Sequence, residues 1–197
     1  AVIVPSGLRV QHLVERHRVP RSKITRVYEF IDPTAVLAPP RQDRVDLRAE
    51  LGIGEDDLVV GGSGFADWRK GIDLFVEMAR QVRASGREDI HFVWVGDRPG
   101  GYHGDDLDRD IRHSDVEGHL HLAGLRDRPF DWYRCFDVFA LTSREDPYPL
   151  VGLETALLEV PMVCFDAGGM TELIARSTDE GRGESGVVVD YLDVEAM

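Results

Sequence analysis

The sequence predicts an α/β domain built on a doubly wound parallel sheet, and three observations carry that prediction. Short continuous apolar runs such as "DLVVGGSG", "IHFVWVG", "DVFALTS" and "PMVCFD" read as strands covered on both faces, because a strand with one wet face alternates. Stretches of helical period separate them. "KGIDLFVEMARQVRAS" places Ile72, Phe75, Val76, Ala79 and Val82 on one face, the stripe of a helix packed on a sheet. Helix-length connections are what parallel strands require, since the chain must cross the sheet before it can pair in the same direction.

Taken in order, "AVIV" is strand-like and leads to a helix pattern through Leu8, His12, Leu13 and Arg16, closed by Pro20. "ITRVYEF" reads as a strand and "RQDRVDLRAELGI" as a helix, followed by "DLVVGGSG" and its amphipathic helix. The strand "IHFVWVG" passes through a Gly-rich polar loop, "VGDRPGGYHGDD", to a polar surface helix, "DDLDRDIRHSDV". Then come the strand "HLHLAG", the short helix "PFDWYRCF", the strand "DVFALTS", the helix "LVGLETALLE" and the strand "PMVCFD". "MTELIA" and "GVVVD" supply a last helix and strand, and no internal repeat interrupts the alternation.

The 197 residues suffice for one large α/β domain with a connecting segment. With 23 basic against 36 acidic side chains the formal charge is −13, which argues against a broad attraction to nucleic acid or to an anionic membrane surface. Any anionic ligand must be gripped locally. Cys135 and Cys164 stand in apolar surroundings and read as buried thiols, consistent with a reducing cytoplasm. No apolar run approaches the roughly 20 residues of a membrane span. His119 and His121 alternate on a strand and so share a face; they read as packing or surface histidines, and no cluster has metal-ligand spacing, so no metal is expected.

In an open α/β sheet ligands bind outside the carboxyl ends of the strands, where four loops stand out: "GGSGFADWRKG", "GDRPGG", "GLRDR" and "TSREDPYP". The first has Gly62 and Gly64 in G-x-G spacing, but Asp67 occupies the place of a third glycine, so it is no dinucleotide fingerprint, and no Walker pattern is present. What remains is Gly64 for close approach, with Arg69 and Lys70 ahead of the next helix, either as solvated charges or as an anion's partners. In the last loop, Pro149 suits the first helical turn and leaves the N–H groups of Leu150, Val151 and Gly152 free at a helix start that favours phosphate. Asp146 either caps that helix or accepts from ligand hydroxyls. Glu154 lies two turns further on, among Leu153, Ala156, Leu157 and Leu158. Such a carboxylate needs donors; a backbone amide, Arg144 or two adjacent ribose hydroxyls would serve.

"SREDPYPLVGLETALLEVPMVCFDAGGMTELI" resembles the E-x7-E region of retaining glycosyltransferases of family 4 (group 1), which have the two-domain GT-B fold, and "GGSGFADWRKGIDLFVEMA", "FVWVGD" and "HLAGLRDR" follow in that family's order. The resemblance runs from about residue 24 to the C-terminus. It implies the Rossmann-like, C-terminal donor-binding half of a GT-B enzyme, with residues 1–23 the hinge and end of an N-terminal acceptor domain and 24–197 the donor domain. A nucleotide-diphosphate sugar is then the donor substrate, with no metal and no other cofactor. Glu154 would hold the ribose, Lys70 the diphosphate, Asp146 the sugar hydroxyls, and the backbone at Tyr148, Leu150 and Val151 the sugar and phosphate. Gly64, Phe65, Arg69, Leu125 and Arg126 are further donor contacts on the same grounds. The chain departs from the family pattern in Asp146 for the first glutamate, in Pro147 and Pro149 for loop glycines, and in Phe65 near the place of an arginine, with Arg69 the neighbouring base. A GT-B nucleotide-sugar epimerase and a non-catalytic nucleotide-binding module are the competing readings.

Overall fold

The computed structural model describes residues 1–100, 102–179, 181 and 185–197. Two parallel sheets organise it. A small one pairs β1 (Val2–Val4) with β2 (Ile24–Arg26), in register Val2 with Ile24. Between them run α1 (Gly7–Glu15), whose N-cap Ser6 accepts from the Arg9 amide, and a 3₁₀ turn, Arg21–Lys23. The strand expected over "ITRVYEF" is therefore only three residues long and lies outside the main sheet. Buried Ile24 packs with Val4 and Val10 in a separate apolar cluster, and that satellite core sets its partner. Next comes α2 (Pro33–Leu37), capped by Asp32 with Pro33 in the first turn; five residues are too few to show a period, and the sequence does not announce it.

The main sheet has six parallel strands: β3 (Leu58–Ser63), β4 (Ile90–Val95), β5 (Leu120–Gly124), β6 (Val138–Leu141), β7 (Met162–Phe165) and β8 (Gly186–Val189). Their spatial order is β5-β4-β3-β6-β7-β8, so the doubly wound parallel sheet read from the sequence is the fold found. α3 (Arg44–Glu50) precedes β3, and the crossovers are α4 (Ile72–Ala84), α5 (Tyr102–His113), α6 (Pro129–Tyr133), α7 (Leu150–Leu157) and α8 (Met170–Asp179). Gly101 of the Gly-rich loop lies outside the described residues.

Two apolar cores cover the two faces. One gathers Leu47, Val59, Val93, Phe136, Phe139 and Met170; the other Phe75, Val76, Phe92, Trp94 and Val116. The glycine pair in β3 permits this packing: a Cβ on Gly61 would meet the Phe136 ring at 2.0 Å and one on Gly62 the Trp94 ring at 2.5 Å. Cys135 and Cys164 are free and buried, as their apolar surroundings predict, and burial pushes the thiols up to about 11 and about 12. Among the described residues, no helix is long and apolar enough to cross a membrane.

The strand order positions everything that follows. From β3 the chain builds outward through β4 and β5, then returns to the other side of β3 to lay down β6, β7 and β8. The reversal leaves a crevice between the carboxyl ends of β3 and β6.

Candidate functional site

The loop after β3 and the loop after β6 meet at that crevice. Residues 67–71 form a tight turn in which the Asp67 carboxylate accepts from the Lys70 amide at 2.8 Å and the Asp67 carbonyl from Gly71 at 3.0 Å. Gly71 caps α4 in the left-handed region, φ 74°, and a Cβ there would stand 2.0 Å from the Thr142 carbonyl. Only glycine lets the helix start so close to the end of β6. Thr142 donates its hydroxyl to the Lys70 carbonyl at 3.1 Å, and the Arg144 amide donates to the Arg69 carbonyl at 2.9 Å. Arg144 itself is spent on structure. It forks onto Asp73 with two 2.7 Å bonds and lies over Trp68, 4.9 Å from the ring centre.

These contacts bring Lys70 to Asp146. The ammonium lies 2.5 Å from the carboxylate, Arg69 stands 3.9 Å from the same oxygen, and both Lys70 and Asp146 are largely shielded. The stem of Lys70 runs past Gly64, where a Cβ would meet its methylenes at 3.2 Å. Gly64 is held in turn by the Trp94 indole, which donates to its carbonyl at 3.0 Å, and by Gly96, whose missing Cβ leaves room for that carbonyl. Two bases and an acid far apart in the chain thus share one edge of the sheet.

Asp146 does not cap α7. The N-cap is Pro149, with no side-chain bond to the helix start, because Lys70 and Arg69 have drawn Asp146 away. Of the three amides expected to be free there, Gly152 is corrected: its N–H donates to the Pro149 carbonyl at 3.1 Å in a closing turn. Leu150 and Val151 retain theirs at an exposed terminus, with Leu150 itself 45% exposed. Tyr148 is buried and its ring packs 5.5 Å from that of Tyr28, so only its backbone faces the loop. A fifth loop, which the sequence reading passed over, backs this one. A Cβ on Gly168 would sit 2.2 Å from the Asp146 carbonyl oxygen, and one on Gly169 would sit 2.1 Å from the Tyr148 ring. The signal was the glycine pair directly after β7.

Glu154 is half-buried, and burial alone holds its carboxyl above the usual range. Neither a backbone amide nor Arg144 reaches it, and no hydrogen bond to its carboxylate is present among the described residues. Its charge lies near Tyr133, whose hydroxyl burial pushes up to about 12. Tyr133 bonds Ser63 at 2.8 Å, and Ser63 donates to the Val95 carbonyl at 2.9 Å. Tyr133 and Ser63, with Gly64, Phe65, Leu125, Arg126 and Pro129, line a cleft of about 300 Å³ over the ends of β3 and β4. Arg126 stacks over Trp132 at 4.5 Å. Tyr133 and Ser63 were not singled out from the sequence, where an aromatic inside "PFDWYRCF" reads as core.

The candidate binding residues read from the sequence thus lie on the loops at one edge, with Glu154 one turn inside α7. Lys70, Arg69 and Asp146 touch directly, Gly64 lies under the Lys70 stem, and Phe65, Leu125 and Arg126 line the neighbouring cleft. The arrangement presents a cation at a helix N-terminus, an unpaired carboxylate and a roofless cleft. It can hold an anion, a pair of hydroxyls and a flat group at once.

The model of the family described as glycosyl transferases group 1 matches residues 56–197. Over 169 residues the chain is 28% identical to the alpha-galactosylglucosyldiacylglycerol synthase of Streptococcus pneumoniae, covering 84% of this chain and 43% of that protein. It is also 28% identical over 206 residues to the lipopolysaccharide core biosynthesis mannosyltransferase LpsB of Rhizobium meliloti, covering 100% of this chain and 53% of the relative. The chain therefore spans about half the length of these relatives. Among solved structures, Anabaena Alr3699/HepE in complex with UDP superposes with a TM-score of 0.82 at 21% identity, over 98% of this chain and 50% of that one. With the match spanning most of the sheet and both crevice loops, the chain belongs to the glycosyl transferases group 1 family.

Proposed function

We propose that this domain holds a nucleotide-diphosphate sugar for a retaining glycosyltransferase, with the acceptor bound by a domain N-terminal to it. The observation that carries the reading is Glu154: a half-buried carboxylate, raised by burial alone and without a donor among the described residues, is left with acceptor capacity for two adjacent hydroxyls of a ribose. The base then rests in the cleft at Phe65, Leu125 and Arg126. The diphosphate lies at the Leu150 and Val151 amides, where the helix dipole adds about half a positive charge. Lys70 completes that cradle, exchanging its contact with Asp146 for a shared one with phosphate, and Arg69 adds charge from the rim. Asp146, once less tightly engaged, accepts from hydroxyls of the transferred sugar.

In this reading the domain supplies electrostatic stabilisation of the departing diphosphate. Lys70, Arg69 and the helix terminus replace a divalent cation, so no metal or cofactor takes part. The UDP in the Anabaena complex supports a nucleoside diphosphate as the ligand class. Calorimetric titration with UDP, GDP and ADP, repeated on Glu154→Ala, tests the proposal. Binding of at least one nucleotide, weakened by the substitution with the melting temperature preserved, is expected. Unchanged affinity with a falling melting temperature would make Glu154 structural and overturn the ribose assignment.

A further inference from the structure

Beside Asp146, on the far side from the base cleft, lies a second cleft of about 240 Å³. One wall is α1, through Arg9 and His12; the other is formed by Glu145, Asp146, Pro147 and Gly168. The walls are fixed relative to one another. The Glu172 carboxylate at the start of α8 accepts from the Gly7 amide at 2.6 Å, the Leu8 amide at 3.2 Å, Arg26 at 3.3 Å and the Tyr28 hydroxyl at 3.0 Å. It thereby anchors α1 to the domain and occupies the positive end of that helix, so an anion in the cleft must find a side chain.

Charge bookkeeping then singles out Arg9. Asp146 is offset by Lys70 and Arg69, and Arg144 is committed to Asp73. His12 has its Nε2 3.2 Å from that of His17 and so already has a hydrogen-bond partner. Among the described residues neither the Arg9 guanidinium nor the Glu145 carboxylate has an ion pair, and Arg9 lines the same cleft as the Asp146 and Glu145 carboxylates, which can accept from hydroxyls. The volume is below the roughly 300–1,000 Å³ of pockets for drug-sized ligands and suits one sugar-sized group.

We propose that the cleft between α1 and the Asp146 loop takes a hydroxyl-bearing, sugar-sized group carrying one anionic substituent, carboxylate or phosphate, with Arg9 as the residue that selects the charge. The proposal deepens the donor-binding reading and rests on it for the place of the transferred sugar at Asp146. The anion has two possible sources, a uronic-acid-type donor sugar or a phosphorylated acceptor. Arginine suits either, because its planar fork matches both groups bidentately.

The test uses the whole chain and Arg9→Gln, a substitution on a partly exposed helix face. UDP-glucuronate and UDP-glucose are titrated by calorimetry. Glucuronate, glucose 6-phosphate and glucose are titrated by ligand-observed NMR with UDP present, so that the Lys70 site is filled, and again in Lys70→Ala without UDP. We expect the wild-type chain to prefer an anionic member over its neutral counterpart, and Arg9→Gln to erase that preference, a loss of about tenfold or more, while UDP affinity stays the same. A preference for glucuronate identifies a donor sugar, and one for glucose 6-phosphate an acceptor. Equal binding of anionic and neutral sugars, no binding of either, or a preference that survives Arg9→Gln overturns the proposal. Failure of UDP to bind would instead count against the donor reading, and the Lys70→Ala titrations would still decide the cleft.

Discussion

Two polar clusters sit at opposite ends of the same sheet, and they differ in what their side chains have left to offer. Near the amino ends of β4 and β5, His91 stacks on His119 with rings 5.2 Å apart, its Nδ1 lies 3.2 Å from Nε2 of His121, and its Nε2 lies 3.3 Å from Asp57. Arg83 closes the group against His119 at 3.2 Å. At the carboxyl ends, Lys70 and Asp146 meet beside an uncapped helix start, and Glu154 has no hydrogen-bond partner among the described residues. Both clusters contain groups shifted by burial, which depresses His91 and takes His121 down to about 4, and raises Glu154. A shifted titration therefore does not mark a site by itself. His91 spends its hydrogen bonds on His121 and Asp57, and His119 turns Nε2 to Arg83 and the Glu88 carbonyl while its buried Nδ1 has no partner, with no metal-holding set among the described residues; at the crevice Lys70 and Asp146 pair with each other and Glu154 is left without a hydrogen bond among the described residues.

The sharpest way to break this contrast is Lys70→Ala. It removes the cation from the cradle and is expected to weaken nucleoside diphosphate binding by about 1.5–3 kcal/mol, as for lost hydrogen bonds to charged groups, with little change in fold. Calorimetry beside a melting curve checks both halves. If Lys70 mattered only for holding Asp146, stability would fall and affinity would not.

Glu154→Ala comes next, with an expected loss of about 1–3 kcal/mol in nucleotide affinity. Its stability effect has the opposite sign from that of a paired acid. A carboxyl raised by burial stabilises the fold most below its unfolded pKa, and that contribution is lost as pH rises through the folded value. Near pH 7 the alanine variant should therefore melt no lower than the parent. A marked drop would show that Glu154 has a structural partner.

For the histidines the sign reverses again. His91 and His121 are depressed in the folded chain, so their neutral forms stabilise it above about pH 6.5, the unfolded value, and that contribution is lost as pH falls toward the folded value of about 4 for His121. Replacing His121 with Phe should flatten the fall in melting temperature between pH 7 and 5 by a few degrees, leaving nucleotide affinity unchanged. An affinity loss in that variant would couple the two ends of the sheet.

The smallest expected effect is none. Chelation of divalent ions should leave nucleoside diphosphate affinity where it was, because in the proposed reading Lys70, Arg69 and the start of α7 supply the charge. Binding that disappears with chelator and returns with magnesium or manganese would refute the metal-free cradle.

Most of the alternation was legible in the chain, since continuous apolar runs and a 3.6-residue period depend on local burial that each segment announces for itself. Ile72, Phe75, Val76 and Ala79 lie buried where the period places them. What escaped were short or borrowed features. α2 has no period to read, and β2 takes its partner from a satellite core. The roles of Tyr133, Gly71 and Gly168 depend on what stands across from them. By itself the sequence determined the element types, the carboxyl-end loops as the place to look for a site, and Glu154 as a carboxylate in an apolar helix that needs donors. Only the tertiary structure decided that β3 and β6 are neighbours, that Lys70 crosses to Asp146 while Arg144 is spent on Asp73, and that Arg9 of α1 lines a cleft with the same acid. Strand order and long-range ion pairs arise from packing between segments far apart in the chain, and no local pattern of residues encodes them.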